Sequence, residues 1–342
     1  MTEIFTGHRL LNTEDSGPTA GLCRYHETIT ETLSRKDYAT IGFTPNPYTS
    51  REFGFDTGFN HFDDFFGRGA TVVDRLRTYV RENWQNRTGR AIRLGLNLVG
   101  QGDITVGWRD YYDEVLEQVD AASEPFFLWI FLLEPHWPYF PSKQHRDDVD
   151  IRDLFTNYKR SRASNMELSE TDGDRLRRLY RNTIKDVDDF VERIQTDLSE
   201  YDPAYIFHSD HGESFGEHGN WGHMGDLHEE NIHVPLEVWN VGVSETVTNP
   251  FSLRQIPSIV ELIANGTPEE IPSLSSPFAS AHNFENDISI AGKEWLHYPV
   301  GERTVPDSLS ELADAIHETE RERFEEAKRI RSATENVELG RI

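Results

Sequence analysis

Residues 208–236 read HSDHGESFGEHGNWGHMGDLHEENIHVPL. Asp210, His211, Glu213, Glu217, His218, His223, Asp226, His228, Glu229, Glu230 and His233 all fall in this one stretch. The apolar run Ala204, Tyr205, Ile206 and Phe207 comes directly before it, and Val234, Pro235 and Leu236 start a second run at its end. A short apolar run that opens into carboxylates and imidazoles predicts a buried strand with a polar loop at its carboxyl end. Open α/β sheets place their ligand sites there. Asp and His together also form a donor set for a divalent cation.

The sequence on either side alternates strands and helices. Residues 126–133, FFLWIFLL, are apolar without a break, the mark of a parallel strand covered on both faces. At eight residues the run is too short to cross a bilayer. Residues 134–139, EPHWPY, predict a loop, because neither proline can donate to a ladder. Residues 38–43 and 234–239 predict further strands. From 174 to 198, Leu176, Leu179, Ile184, Val187, Phe190, Val191, Ile194 and Leu198 recur at steps that give a helix one apolar face. Helices are also expected at 25–33, in 71–118 with a break near 95–107, and at 252–263. A charged tail helix is expected to run from a capping box at Ser308 and Glu311 to about 331. Residues 54–66 predict a packed aromatic loop, and 142–170 a polar surface excursion. The alternation defines an α/β fold with a largely parallel sheet. We expect an α/β domain over 1–285 and a C-terminal segment over 286–342.

Composition narrows the function. The chain has 342 residues, enough for one large domain or a large and a small one. It holds 20 Phe, 12 Tyr and 7 Trp, so a folded core is expected. The formal net charge is -26, with only 6 Lys beside 28 Arg. That balance predicts a halophilic acidic protein, whose self-repulsion is screened at high salt. It also argues against nucleic acid or an anionic membrane as partner. Arg175, Arg177, Arg178 and Arg181 read as a solvated helix face. The single cysteine, Cys23, excludes a disulfide framework and a thiolate metal site. The opening MTEIFTGHRL has no signal-peptide core, so the chain as given reads as soluble and cytoplasmic. Oligomeric state is not legible.

Four segments resemble sulfatases of the alkaline-phosphatase superfamily, in that family's order. Ile4-Phe5-Thr6-Gly7 is similar to the Leu-Leu-Thr-Gly that follows the family's nucleophile motif. Residues 42–64, GFTPNPYTSREFGFDTGFNHFDD, are similar to its Gly-Phe, Asn-Pro and Gly-Phe-Asp-x-Gly-Phe stretch. Residues 133–139, LEPHWPY, resemble its Asp-Pro-His-x-Pro-Tyr element, and 208–236 its metal loop. The resemblance implies an alkaline-phosphatase-like three-layer sandwich with a mostly parallel sheet. It implies Asp210 and His211 as ligands of a divalent metal ion, Ca²⁺, Mg²⁺ or Mn²⁺ before Zn²⁺. It implies His223 as a contact of the ester oxygens and His136 as a group near the leaving oxygen. Glu213 and Glu217 read as supports of the loop backbone or of the ligands' neighbours. His218 reads equally as a site residue or a loop element. The substrate implied is a small-molecule or glycan sulfate ester, or a related phospho-ester.

One part of the family's pattern is not in this sequence. The family's nucleophile motif is Cys/Ser/Thr-x-Pro-x-Arg. Counting back from Thr6 and Gly7 puts the nucleophile four positions before Met1. The family's first strand, ending in an Asp-Asp pair of metal ligands, lies further upstream. The fold is therefore expected to lack its first strand, and the chain by itself to be inactive. Thr2, Thr6 and Cys23 are set aside as substitute nucleophiles, since no strand before them aims them at Asp210. Two readings follow. One is a sulfatase-like hydrolase seen without its N-terminal part. The other is a non-catalytic remnant or binding protein on the same scaffold. The reading frame upstream of Met1 separates them. Specificity is expected in loops 44–70 and 140–170.

Overall fold

The computed structural model describes residues 2–6, 27–65, 106–150, 152–153, 155–157, 168–223, 227–276, 279–282, 288–291 and 295–298. Its centre is a parallel sheet. Strand β1 (Ala39–Phe43) lies between β2 (His61–Asp63) and β3 (Phe126–Ile130), and Ile41 stands opposite both His61 and Leu128. The alternation along β1 decides which side chain meets which layer. Ile41 and Phe43 face a cluster with Trp108, Tyr111, Tyr112, Val115, Phe190 and Ile194. These belong to the segment around α3 (Tyr112–Ala121) and to the long helix α4 (Glu170–Asp197). On the other side, α1 (Thr2–Thr6), α2 (Ile29–Ser34) and α6 (Ile256–Asn265) bury Ile4, Phe5, Ile29, Leu33, Ile256 and Ile259 with Phe55 and Phe62. Phe5 meets Trp129 of β3 edge to face, with ring centroids 4.8 Å apart. Helix, sheet and helix make three layers.

Helix starts follow local chemistry. α2 opens on a capping box: the Glu31 N–H donates to Thr28 Oγ1, and the Thr28 N–H donates to the Glu31 carboxylate. Ser169 caps α4 by accepting from the Asp172 N–H. α4 buries Leu176, Leu179, Val187, Phe190 and Ile194, the predicted stripe. Ile184 departs from it and is 43% exposed, because it sits off the 3.6-residue register that the others share.

β4 (Tyr205–His208) pairs antiparallel with β7 (Leu236–Trp239). Between them the chain makes a two-residue hairpin, β5 (Ser214–Phe215) with β6 (Trp221–Gly222), and the one-turn helix α5 (Glu229–Ile232). β8 (Ala279–His282), β9 (Ile288–Ala291) and β10 (Trp295–Tyr298) form a separate antiparallel sheet in the order β10-β9-β8.

Two expectations change and a third is refined. The loop expected at 54–66 contains β2, a strand of three residues whose Asn60 and Asp64 flanks hid it. The apolar β3 is covered on both faces, Phe127 and Trp129 packing on one cluster and Phe126, Leu128 and Ile130 on the other, yet each of its residues is only half-buried. Among the described residues it pairs with β1 alone and β4 with β7 alone, and an open ladder edge leaves side-chain flanks accessible. The excursion expected at 142–170 carries buried polar anchors: Asp153, Thr156 and Asn157 are buried, and Asn157 bonds both the N–H and the C=O of Tyr139. The helix expected across 71–105, the tail helix from 306 and Cys23 lie outside the described residues.

Candidate active site

β4 ends at His208, and Asp210 and His211 follow in the loop. The loop is clamped from behind. Gly212 N–H donates to the Asn231 carbonyl at 2.8 Å and Glu213 N–H to the Glu230 carbonyl at 3.0 Å. Ser214 Oγ donates to the Asn231 side chain at 3.1 Å. A Cβ on residue 212 would stand 2.0 Å from the Glu230 carbonyl oxygen, so only glycine lets α5 come this close. The clamp fixes the direction in which residues 210 and 211 leave the strand.

The His211 Nδ1–H donates to the Gly212 carbonyl at 2.8 Å, because a carbonyl can only accept. Nε2 is then the unprotonated nitrogen and keeps its lone pair. It lies 3.9 Å from Asp210 Oδ1, and both side chains are partly exposed. Donors held about 2.0–2.6 Å from one ion lie within about 5 Å of each other, so this pair fits a shared cation. A carboxylate oxygen beside a neutral imidazole suits Ca²⁺, Mg²⁺ or Mn²⁺ and tolerates Zn²⁺. Two donors are a partial set, since hard cations take about six or more.

Three imidazoles crowd this point. His223, just after β6, stacks on His211 with centroids 3.9 Å apart. His136, in the loop after β3, lies 5.5 Å from His223 and 6.4 Å from His211. Two loops whose site residues His136 and Asp210 are 74 residues apart in sequence thus meet at the carboxyl ends of β3 and β4. His223 is oriented from behind: its Nδ1–H donates to Glu213 Oε2 at 2.6 Å, and the Tyr139 hydroxyl donates to Glu213 Oε1 at 2.7 Å. Tyr139 is fully buried and the Glu213 side chain is 6% exposed, so this relay is rigid. It leaves His223 Nε2 for a ligand. His136 keeps an exposed edge, yet the surrounding protein removes enough water to lower its pKa from the ordinary imidazole value; the His223 imidazole pushes the same way. His208, behind the site, is lowered by burial as well.

Glu213 could also be grouped with His211 and His223, since one donor atom from each lies within 4.8 Å of the others. Both its oxygens already accept hydrogen bonds, so it serves as the partner of His223. Glu217 accepts from the Phe215 N–H and holds the hairpin. His218 is turned away: it contacts Glu230 at 3.4 Å and stacks on His228 at 3.8 Å. Two further groups with donor geometry lie elsewhere among the described residues. In one, Asp186 and Asp189 are already paired to Arg109 beside His145. The other is His61, Asp63 and Glu114, where the Phe65 N–H donates to Asp63.

Sequence reading missed Tyr139 as an anchor, although it stands in the same LEPHWPY element as His136. It also missed Glu134. That carboxylate accepts from the Trp108 N–H at 2.7 Å through Oε1, while Oε2 is sealed from water without a hydrogen-bond partner. Burial pushes its pKa up to about 7. Nothing in one sequence distinguishes it from an exposed loop glutamate.

Fold and site together define an α/β scaffold in which Asp210, His211, His223 and His136 gather at strand ends. Residues 1–262 match the family model described as Sulfatase, and the chain belongs to the sulfatase family. It is 25% identical over 298 residues to an arylsulfatase of Clostridium perfringens (strain 13 / Type A), covering 73% of this chain and 61% of that protein. It therefore spans less than two thirds of that relative. Over 77 residues, 21% of this chain and 8% of the other, it is 34% identical to GPI ethanolamine phosphate transferase 1 of Saccharomyces cerevisiae (strain ATCC 204508 / S288c). Among solved structures, the phosphonate monoester hydrolase of Agrobacterium radiobacter superposes with a TM-score of 0.62 at 14% identity, over 95% of this chain and 85% of that one. BT4656, solved with its substrate D-glucosamine-2-N,6-O-disulfate, gives 0.60 at 12% identity, over 95% and 87%. These likenesses show the alkaline-phosphatase-like α/β fold. Among the described residues no helix is long and apolar enough to cross a membrane.

Proposed function

We propose that this chain carries most of the active site of a hydrolase of sulfate esters or related phospho-esters that uses a divalent metal ion. The observation that carries the reading is the convergence of Asp210, His211, His223 and His136 at two strand ends, with His223 held by Glu213. Asp210 Oδ1 and His211 Nε2 hold the cation in part. When bound, the metal supplies positive charge where negative charge grows on the ester. His223, as an imidazolium paired with Glu213, donates from Nε2–H to the ester oxygens, with its ring fixed by the Glu213 and Tyr139 relay. His136 faces the leaving oxygen; it exchanges a proton there, and an arriving anion opposes the loss of water that lowers its pKa. The 25% identity to an arylsulfatase and the neighbour bound to a sulfated sugar support sulfate esters, including sulfated glycans, as substrates.

Residues 1–342 alone are proposed not to turn over substrate. Ile4-Phe5-Thr6-Gly7 resembles the segment that follows the family's nucleophile motif, so this reading expects the nucleophile ahead of Met1, and covalent chemistry without its nucleophile loses most of its acceleration. Phenyl sulfate binding and turnover with Mn²⁺ test both parts. We expect binding that His223→Ala weakens about tenfold or more, and no turnover above a His211→Ala control. Unchanged binding in His223→Ala would remove the substrate role. Metal-dependent turnover would place the nucleophile within 1–342.

A further inference from the structure

The loop that carries His136 is tied down at both ends. At its far end Asn157 bonds the N–H and the C=O of Tyr139, and the Ser142 N–H donates to Asp186 Oδ2 at 2.7 Å. At its near end it is held through Glu134. Oε1 of Glu134 accepts from the Trp108 N–H at 2.7 Å, and the Trp108 indole N–H donates to the Asp186 carbonyl at 2.9 Å. Both ends thus lead to one buried residue of α4, the near end by way of Trp108.

The near tie differs from the far ones in what it asks of a charge. Glu134 Oε2 is sealed from water and has no hydrogen-bond partner. An ionised oxygen placed there loses its hydration with nothing in exchange, whereas a neutral carboxyl carries its proton on Oε2 and keeps Oε1 as the acceptor. The neighbouring charges do not offset that cost. Arg109, next to Trp108, is already shared between Asp186 Oδ1 at 2.9 Å and Asp189 Oδ2 at 2.5 Å. His145 faces the same two carboxylates, 2.7 Å from Asp189 and 3.9 Å from Asp186, and adds positive charge only when protonated. Asp110, on the Trp108 turn, accepts from the Gly107 N–H at 3.1 Å. The buried Tyr111 hydroxyl stays neutral, its pKa raised by burial and then by Glu134. A charge on Glu134 therefore joins three carboxylates and one guanidinium.

We propose that Glu134 is a proton-gated clasp on the His136 end of this loop. The neutral carboxyl holds residues 134–138 against the Trp108 turn, and the carboxylate leaves that place for water. Release takes His136 away from His223 and His211, whose rings lie 5.5 and 6.4 Å from it. Asn157 and Asp186 keep Tyr139 and Ser142 where they are, so the relay from Tyr139 through Glu213 to His223 stays in place. The gate sets where His136 sits and does not depend on which ester the site takes.

The clasped carboxyl stays neutral up to about pH 7, because burial outweighs the Trp108 N–H that favours its anion; in water it ionises near 4.5. Release is therefore hardest below about pH 4.5, becomes easier as pH rises to about 7, and levels off above, by at most about 300-fold.

Hydrogen exchange at single amides, at pH 5 and pH 8 and with or without low, non-denaturing urea, tests the gate. After correction for intrinsic exchange, the Trp108 and His136 amides of the wild-type chain should be at least about tenfold less protected at pH 8 than at pH 5. Urea should leave them unchanged, because a local opening exposes little surface. Amides inside α4 should be better protected and should lose protection as urea is added. Glu134→Gln keeps an acceptor for the Trp108 N–H and cannot ionise, so its Trp108 and His136 amides should be equally protected at both pH values. Glu117→Gln, which removes a charge from an exposed position of α3, should behave as the wild type. Protection that does not change with pH in the wild type, or a fall that persists in Glu134→Gln, would overturn the gate. Trp108 and His136 amides that share the urea dependence of α4 would overturn it as well, since the loop would then open only when the whole chain unfolds. That comparison is made on the wild-type chain and decides the matter even where Glu134→Gln fails to fold.

Discussion

At the scale of single residues, the proposed site works by fixing which ring nitrogen faces it. His211 donates from Nδ1–H to Gly212 and turns its Nε2 lone pair to the proposed cation; His223 donates from Nδ1–H to Glu213, and it addresses an anion through Nε2–H, as an imidazolium paired with that carboxylate. The residue types were legible because Asp and His cluster in one polar stretch after an apolar run. Their partners were not, because Tyr139 lies 74 residues from Glu213 and no local pattern links them. Glu134 was illegible for a similar reason: its pKa of about 7 comes from burial by the Trp108 segment, a tertiary effect. That shift has a sign. The folded carboxyl holds its proton at pH values where the unfolded one, near 4.5, has lost it. Stability is thus unaffected below about 4.5, falls as pH rises from there to about 7, and stays reduced above by at most about 3 kcal/mol. Glu134→Gln should flatten this part of the profile. Urea unfolding at pH 5 and pH 8 checks it, and an equal fall in wild type and variant would show that Glu134 is not the titrating group.

At the scale of elements, long periodic patterns were readable and short pieces were not. The stripe from Leu176 to Ile194 announced α4, and the continuous FFLWI announced β3. β2 and the β5–β6 hairpin have three and two residues per strand, too few to show a period, and are defined by what they pair with. The α5 clamp belongs to the same class. Its existence depends on residue 212 having no side chain, which gives a direct test. Gly212→Ala should destabilise the chain by about 2–3 kcal/mol, since a Cβ 2.0 Å from the Glu230 oxygen forces the backbone to move. Gly219→Ala in the same loop is the comparison: its φ of +78° costs about 1 kcal/mol, and its surroundings are open. Denaturant midpoints measure both, and equal losses would mean that the clamp is loose.

At the scale of the whole molecule, composition spoke to solvent and topology spoke to the site. The alternation of strands and helices was enough to expect an α/β sheet. The separation into β2-β1-β3 and β4-β7 depends on ladder partners that no single stretch encodes. The formal charge of -26 makes the fold a charged body whose self-repulsion depends on salt. Between about 1 M and 0.01 M salt the screening length grows from about 3 Å to about 30 Å. The melting temperature should therefore fall as salt is removed, and a value constant across that range would remove the high-salt reading.

The central claim is that Asp210 and His211 hold a cation while His223 addresses the anion. Mn²⁺ titration followed by water-proton relaxation tests it most directly, because this readout follows binding as weak as about 10⁻³ M, the range a partial ligand set implies. The wild-type chain and His223→Ala should bind Mn²⁺ alike, and Asp210→Ala and His211→Ala should each abolish the signal. Binding that survives both of these changes, or that is lost in His223→Ala, would contradict the account.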